Sequence, residues 1–177
     1  MCAIQIEPTV RTGRLSLRKA QVSDAPRVAE LANDLDVARM TTRIPHPYEL
    51  SDAEDFLTRV REQDPREATT FAIEHPDDGV VGLLGFFANE DGRPELGYWL
   101  GRPYWGRGYA TEAAEGALVW ASESWGRRYV VAGHFADNPA SGQVLCKAGF
   151  LYTGEVKLMP SLGRSQVAPA RMMVWLA

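Results

Sequence analysis

Residues 69–100 contain three β-rich segments that are separated by only two short turns. The segments cover residues 69–74, 80–88 and 95–100, and an Asp-Gly pair lies in each turn. Such short turns connect neighbouring antiparallel strands, because a parallel crossover requires about a dozen residues or more. The chain is therefore predicted to build its sheet around an antiparallel meander.

Periodic patterns on both sides of this meander alternate between strand and helix. The elements before it are a strand over 14–20 and helices that begin near Ala25 and Ser51; those after it are helices over 110–125 and 140–147 and strands over 129–134, 150–156 and 171–176. This order predicts one mixed α/β (α+β) domain over residues 1–177, with a central sheet of about six to seven strands and about four helices. The segment 154–170, which contains Pro160 and Pro169, is interpreted as a flexible loop.

The composition and charge exclude several function classes. Hydrophobic residues make up 45% and charged residues 24% of the chain, as in ordinary globular proteins. No apolar run is long enough to cross a bilayer and the N-terminus lacks a secretory signal pattern, so a cytoplasmic protein without a membrane partner is expected. The net charge of −4 argues against a broad nucleic-acid-binding surface, which needs an excess of Lys and Arg.

The cysteines and histidines show no metal-binding spacing. Cys2 and Cys146 lie far apart, and His46, His75 and His134 are scattered along the chain. Because a structural metal site needs ligands at short, regular spacings, no metal is expected. Cys146 falls in an apolar helical pattern and is expected to be a buried or partly buried residue rather than a nucleophile.

The segment 105–112, with the sequence WGRGYATE, connects a predicted strand with a predicted helix. Gly106 and Gly108 allow close backbone approach, and the helix start offers unpaired N–H groups at the positive end of its dipole. These features suit a phosphate or pyrophosphate, to which Arg107 adds a charge, although the pattern alone is equally consistent with a tight connection. A Walker loop and a dinucleotide fingerprint are excluded, because the Gly-Lys-Ser/Thr ending and the third glycine are missing.

Two wider segments give this turn a specific meaning. Residues 104–113 resemble the acetyl-CoA pyrophosphate loop of the GNAT acetyltransferase superfamily, and of its RimJ/RimL-like branch in particular. The family motif Gln/Arg-x-x-Gly-x-Gly/Ala is matched at Gly108 and Ala110, whereas Trp105 departs from its first position. Residues 138–150 are similar to the Asn-x-x-Ser…Lys-x-Gly-Phe segment of the same family.

The resemblance implies a GNAT fold and transfer of an acetyl group from acetyl-CoA to a primary amine, by direct attack in a ternary complex. The acceptor would be a protein N-terminus or a small-molecule amine. The resemblance also implies that the strand 95–100 contacts the pantetheine arm and polarises the thioester carbonyl through a backbone N–H. The cofactor-binding residues that it implies are Trp99, Leu100, Gly106, Arg107, Gly108, Tyr109, Ala110, Thr111, Asn138, Ser141 and Lys147.

Ser141, Glu95 and His134 are the predicted catalytic residues. Many family members carry a tyrosine one turn after Ser141, but Leu145 occupies that position, so Ser141 becomes the general acid that protonates the CoA thiolate. A helix-capping role is the alternative for Ser141. The general base is Glu95 or His134, and the alternatives are a surface charge on a strand for Glu95 and a structural role for His134.

Several alternatives stay open at this stage. Tyr98 and Tyr48 are interpreted as residues that shape an acceptor pocket, and Lys147 is either near the outer phosphates or a solvated helix residue. The missing tyrosine favours, as the alternative function, a non-catalytic acyl-CoA-binding protein with the same fold. An ATP- or NAD-binding domain is a third interpretation. The oligomeric state is open, and a homodimer is the commonest symmetric assembly.

Overall fold

The computed structural model describes residues 9–177, and Cys2 therefore lies outside the described residues. No helix within this range is long and apolar enough to cross a membrane. The α-helices are α1 Ala25–Ala32, α2 Leu35–Ala38, α3 Leu50–Arg61, α4 Tyr109–Glu123 and α5 Pro139–Lys147. The strands are β1 Val10–Arg11, β2 Ser16–Lys19, β3 Thr69–His75, β4 Gly79–Ala88, β5 Pro94–Leu100, β6 Tyr129–Phe135, β7 Leu151–Ser161 and β8 Gln166–Leu176.

The strands form one sheet in the order β1-β2-β3-β4-β5-β6-β8-β7. All neighbours pair antiparallel except β5 and β6, which are parallel and share the single pair Glu95–Val131. The later residues of the two strands, toward Leu100 and Phe135, do not pair with each other. The sheet therefore opens between the carboxyl ends of β5 and β6.

Helices cover both faces of this sheet. On β3, Phe71 and Ile73 pack into the core beneath α4 and α5, whereas Ala72 packs into a second core against α1 and α3. This alternation follows from the two-residue period of a strand. Leu118 of α4 and Leu57 of α3 are buried in the two cores. The long helix α4 is thereby fixed with its first residue, Tyr109, close to the opening in the sheet.

The mixed α/β fold and the antiparallel meander are confirmed. Within residues 9–177 the structure has eight strands and five α-helices, slightly more than predicted. The additional helix arises because the first predicted helix ends at Ala32. Asp34 then caps α2 by accepting a hydrogen bond from the backbone N–H of Asp36. The apolar spacing predicts one helix here, but the cap at Asp34 starts a second, separate helix.

The interpretation of residues 154–170 as a flexible loop is wrong. β7 and β8 are each eleven residues long and pair as an antiparallel hairpin up to Ser161 and Gln166. Pro160 is accommodated because β7 is an edge strand of the sheet. Gly154, with φ of +85°, lies at a shift in the register of the pair. These residues mark a sheet edge and a bulge.

Candidate active site

A cleft of about 360 Å³ lies where β5 and β6 separate. The end of β5, the turn before α4, the start of α5 and the residues after α2 form its walls. The predicted cofactor-binding residues that line it are Trp99, Leu100, Gly106, Gly108, Tyr109, Ala110, Thr111, Asn138, Ser141 and Lys147. The fold therefore brings residues 99–111 and residues 138–147 together at one cleft.

The turn before α4, residues 105–108, has the backbone conformation that its glycines predict. Gly106 and Gly108 have φ values of +72° and +78°, and Gly108 is the N-cap of α4. The first N–H groups of a helix have no partner within the helix, and they carry the positive end of its dipole. Since Gly108 and Thr111 both line the cleft, this anion-binding end of α4 faces it.

Trp105 explains why this turn tolerates the departure from the family motif at its first position. The indole Nε1 of Trp105 donates a hydrogen bond to the carbonyl oxygen of Leu100 at 2.8 Å. That bond ties the turn to the end of β5. Trp105 thus makes a structural hydrogen bond at the position where the sequence departs from the motif.

Arg107 is the one predicted cofactor residue that does not line the cleft. Its side chain is exposed, and its guanidinium carbon lies 5.6 Å from the centroid of the Tyr104 ring. Its carbonyl oxygen accepts a hydrogen bond from Nη1 of Arg14 at 3.0 Å. Arg14 therefore contacts the turn before α4, although the sequence pattern did not identify it as a site residue.

Ser141 lies in the cleft and is paired with Tyr98. The two hydroxyl oxygens are 2.7 Å apart, and the Tyr98 hydroxyl also donates to the backbone carbonyl of Ser141 at 3.2 Å. Burial raises the pKa of Tyr98 to about 12, so its hydroxyl stays protonated near neutral pH. Leu145, the position of the missing tyrosine, is fully buried in the core. A tyrosine hydroxyl therefore reaches Ser141 from β5 rather than from α5.

Asn138 holds Ser141 in place. The side-chain oxygen of Asn138 accepts a hydrogen bond from the backbone N–H of Ser141 at 3.2 Å and so caps α5. The backbone of Ser141 serves the cap, whereas its hydroxyl contacts Tyr98. The capping role and the catalytic role considered for Ser141 therefore use different atoms and are compatible.

Glu95 lies at the only point where β5 and β6 pair, opposite Val131, and it does not line the cleft. Glu95 comes three positions before Tyr98. Because successive side chains of a strand point to alternate faces, the two side chains emerge from opposite faces of β5. Burial raises the pKa of Glu95, while a hydrogen bond with Asn89 and the nearby charge of Arg43 oppose that rise.

The structure places His134 outside the cleft. It is 6% exposed, and its two ring nitrogens lie 2.9 Å from the carbonyl oxygen of Phe135 and 3.0 Å from the hydroxyl of Tyr152. It lines a separate depression on the far side of α5, together with Gly142 and Arg171. The prediction that His134 acts on the amine has no support in this geometry, because both of its nitrogens already have partners.

Two further expectations need correction. Tyr48 is buried in the core between α1 and α3 and does not line the cleft, whereas Tyr98 does. Cys146 is exposed, because the inner face of α5 is formed by Gly142 and Leu145. Across residues 9–177, no group of three or more His, Cys, Asp or Glu side chains could hold a metal ion.

The fold and the cleft define a class of protein that the comparisons with known proteins identify. The sequence model of the acetyltransferase (GNAT) domain matches residues 14–151, and the chain belongs to this family. The chain is 30% identical over 150 residues to the uncharacterized N-acetyltransferase p20 of Bacillus licheniformis. The matched region covers 82% of this chain and 84% of that protein. The resemblance predicted from the two central motifs is thereby confirmed.

Solved structures agree on the fold. A structure described as RimL, a ribosomal L7/L12 alpha-N-protein acetyltransferase in complex with coenzyme A, superposes with a TM-score of 0.83 at 19% identity, covering 96% of this chain and 98% of that chain. Mycobacterium smegmatis RimJ in complex with CoA-disulfide gives a TM-score of 0.82 at 18% identity, covering 97% and 87%. The similarity to the RimJ/RimL-like branch is confirmed at the level of the fold.

Proposed function

We propose that this protein transfers the acetyl group of acetyl-CoA to a primary amine by direct attack in a ternary complex. One observation carries the proposal: the anion-binding end of α4 and the Tyr98–Ser141 hydroxyl pair line the same cleft. The first feature suits a diphosphate and the second suits a leaving thiolate. Acetyl-CoA carries both groups, one at each end of its pantetheine arm.

The residues of the cleft fit acetyl-CoA along its length. Gly106 and Gly108 place no side chain at two positions of the turn that line the cleft, so the diphosphate can approach the N–H groups of Tyr109 and the residues after it. Beyond Glu95, the edge of β5 that faces β6 has no strand partner and leaves backbone groups for the pantetheine amides. A backbone N–H near Leu100 would polarise the thioester carbonyl.

The Tyr98–Ser141 pair supplies the general acid in this proposal. The amine nitrogen forms a bond with the thioester carbon, the C–S bond breaks, and the departing sulfur needs a proton. Ser141 donates its hydroxyl hydrogen to sulfur. Tyr98, which is protonated because its pKa is about 12, turns its hydroxyl from the carbonyl of Ser141 and donates its hydrogen to Oγ of Ser141. Solvent then restores the proton of the pair.

Glu95 is proposed as the general base, acting through water. Burial raises its pKa, which makes its carboxylate a better proton acceptor. Glu95 lies outside the cleft, on the face of β5 opposite Tyr98 and roughly 10 Å from it along the strand, so it would reach the amine only through a chain of water molecules. His134 is assigned no step, because its nitrogens are bonded within the fold.

The acceptor is proposed to enter from the side of the cleft lined by Met40 and Thr41. A protein N-terminus and a small-molecule amine both carry the nucleophile that the reaction requires. The name of the RimL structure, an alpha-N-protein acetyltransferase, supports testing N-terminal peptides first.

The first experiment is thermal unfolding of the protein with acetyl-CoA, CoA, ATP or NAD added separately. At a hundredfold excess over Kd, a ligand that binds only the folded state adds about 2.7 kcal/mol of stability. We expect the midpoint to rise with acetyl-CoA and CoA alone. A response to ATP or NAD without a response to CoA would overturn the proposal.

The second experiment measures thiol release from acetyl-CoA with a panel of amines. The panel contains peptides with different N-terminal residues, the same peptides with blocked N-termini, polyamines and free amino acids. Release that requires a free amine supports the proposal and identifies the acceptor class. CoA binding without release for any amine would instead support a non-catalytic acyl-CoA-binding protein.

A further inference from the structure

Arg14, in the turn between β1 and β2, packs against the turn before α4. Its Nη1 donates to the carbonyl oxygen of Arg107 at 3.0 Å, and its guanidinium carbon lies 4.8 Å from the centroid of the Tyr109 ring. A Cβ atom placed on Gly108 would be 3.4 Å from its Nη2. The guanidinium therefore contacts Arg107 and Tyr109 and lies beside Gly108, at the point where the diphosphate is proposed to bind.

Glu112, in the first turn of α4, fixes the position of Arg14. Its Oε2 accepts a hydrogen bond from Nε of Arg14 at 2.8 Å and forms an ion pair with Nη2 of Arg14 at 2.7 Å. Its Oε1 accepts from the backbone N–H of Arg14 at 2.6 Å and from the hydroxyl of Thr12 at 2.7 Å. A two-point contact with an arginine restricts both the distance and the plane of the guanidinium. These contacts place the half-exposed side chain of Arg14 between α4 and the turn.

Glu112 remains ionised in this arrangement. Burial alone would raise the pKa of Glu112, but the hydrogen bonds from Thr12 and Arg14 outweigh that effect and lower it below its ordinary value. A carboxylate in the first turn stabilises the helix dipole, yet an unneutralised one would repel a diphosphate at the same helix end. Arg14 cancels that charge while leaving the N–H groups of the turn free.

We propose that Arg14 is a positioning residue for acetyl-CoA: it fixes the carbonyl of Arg107, so that the turn keeps its N–H groups toward the cleft, and it neutralises Glu112. The inference rests on the proposed function, because it assumes that the cleft binds the diphosphate of CoA. Arg14 acts through the turn and through Glu112.

The test compares Arg14→Gln with the unaltered protein. We expect Kd for CoA and KM for acetyl-CoA to rise about tenfold, which corresponds to about 1.4 kcal/mol, while kcat at saturating acetyl-CoA stays within about twofold. The increase in Kd should be the same for CoA and for 3′-dephospho-CoA, because both contain the diphosphate. Arg14→Lys should recover only part of the affinity, since an ammonium cannot make the same forked contact.

Arg18→Gln is the matched control. Arg18 lies on the neighbouring strand β2 and makes a similar two-point contact with Asp24, at 2.9 and 2.8 Å, away from the turn. Its loss should lower the unfolding midpoint without changing the affinity for CoA. A loss of CoA affinity in Arg18→Gln as large as in Arg14→Gln would show a general structural effect and overturn the proposal.

The double variant Arg14→Gln with Glu112→Gln separates the two parts of the role. If Arg14 neutralises Glu112, the double variant should bind CoA about threefold more tightly than Arg14→Gln alone, a difference of about 0.7 kcal/mol. An Arg14→Gln protein with unaltered CoA affinity, or a double variant no tighter than the single one, would overturn the proposal. If the unaltered protein fails to bind CoA, the proposed function itself is wrong.

Discussion

The two walls of the cleft are built in different ways. The wall beside α4 comes from one contiguous stretch, residues 105–111, of which all but Arg107 line the cleft. The opposite wall follows α2 and is held by the tip of the β7–β8 hairpin. There the hydroxyl of Ser161 donates to the carbonyl of Thr41 at 2.9 Å, and the N–H of Leu162 donates to the carbonyl of Thr42 at 3.2 Å.

Arg164 joins this second wall to β6. Its guanidinium makes a two-point contact with Asp137 at 2.7 and 2.8 Å, donates to the carbonyl of Arg39, and lies over the ring of Phe135. Three distant parts of the chain therefore meet at one side chain. Under the proposed function, acetyl-CoA would meet a wall built from one contiguous segment of the chain, whereas the amine would meet a wall assembled from distant segments.

Gly108→Val should have the largest effect on the wall beside α4. Gly108 has φ of +78°, and a branched side chain is strained in that conformation and would also press on Arg14. If the free protein relieves this strain by changing the conformation of the turn, CoA binding must restore about 3 kcal/mol of strain, and Kd for CoA, measured by calorimetry, rises by about 100-fold. Gly79→Val is the control, because Gly79 has φ of +68° with nothing near its Cβ. It should lower stability but leave CoA affinity unchanged.

Ser141→Ala tests the residue between the two walls. Loss of a general acid should lower kcat by about 100-fold and leave Kd for CoA nearly unchanged. Tyr98→Phe should lower kcat by about tenfold, since Ser141 keeps its hydroxyl but loses its partner. Tyr48→Phe is the matched control: burial also raises the pKa of Tyr48 to about 12, yet it lies outside the cleft. Wild-type turnover in Ser141→Ala would remove Ser141 from the mechanism.

Glu95→Gln tests the proposed base and has a pH signature. Burial raises the pKa of Glu95 in the folded protein, so its ionised carboxylate lowers the free energy of unfolding at pH values above its ordinary pKa of 4.5. Well below that pH the group is protonated in both states and the effect disappears. The variant should therefore unfold at a higher temperature than the unaltered protein at pH 7, and this gain should shrink toward pH 4. Its kcat should fall about tenfold. If the variant is stabilised and its kcat is unchanged, Glu95 is not the general base.

Arg164→Gln tests whether the second wall serves the acceptor alone. We expect KM for the amine to rise about fivefold, with Kd for CoA unchanged. The hydrogen bond from Arg164 lowers the pKa of Asp137 below its ordinary value of 3.8, so this contact stabilises the fold above that pH and is lost as the pH falls. The loss of stability in the variant should therefore be greatest near neutral pH. An equal loss of CoA affinity would contradict the division between the walls.

The sequence predicted the elements that local patterns encode. Short turns identified the meander, and the motifs at residues 104–113 and 138–150 identified the family and most of the residues that line the cleft, but not Val37, Met40 and Thr41. The loop prediction for residues 154–170 failed because residues that are typical of loops can also occur in strands when the surrounding sheet accommodates them. Pro160 and Gly154 are typical of loops, but in this fold they lie at a sheet edge and at a bulge.

By itself the sequence determined the family, the mixed α/β fold and the glycine turn before α4, because a turn's backbone conformation depends on a few adjacent residues. Only the tertiary structure decided which side chains meet. Tyr98 and Ser141 are 43 residues apart, and Arg14 and Glu112 are 98 apart. Contacts of this kind depend on strand register and on how helices pack over the sheet, and no short stretch of sequence specifies either of them.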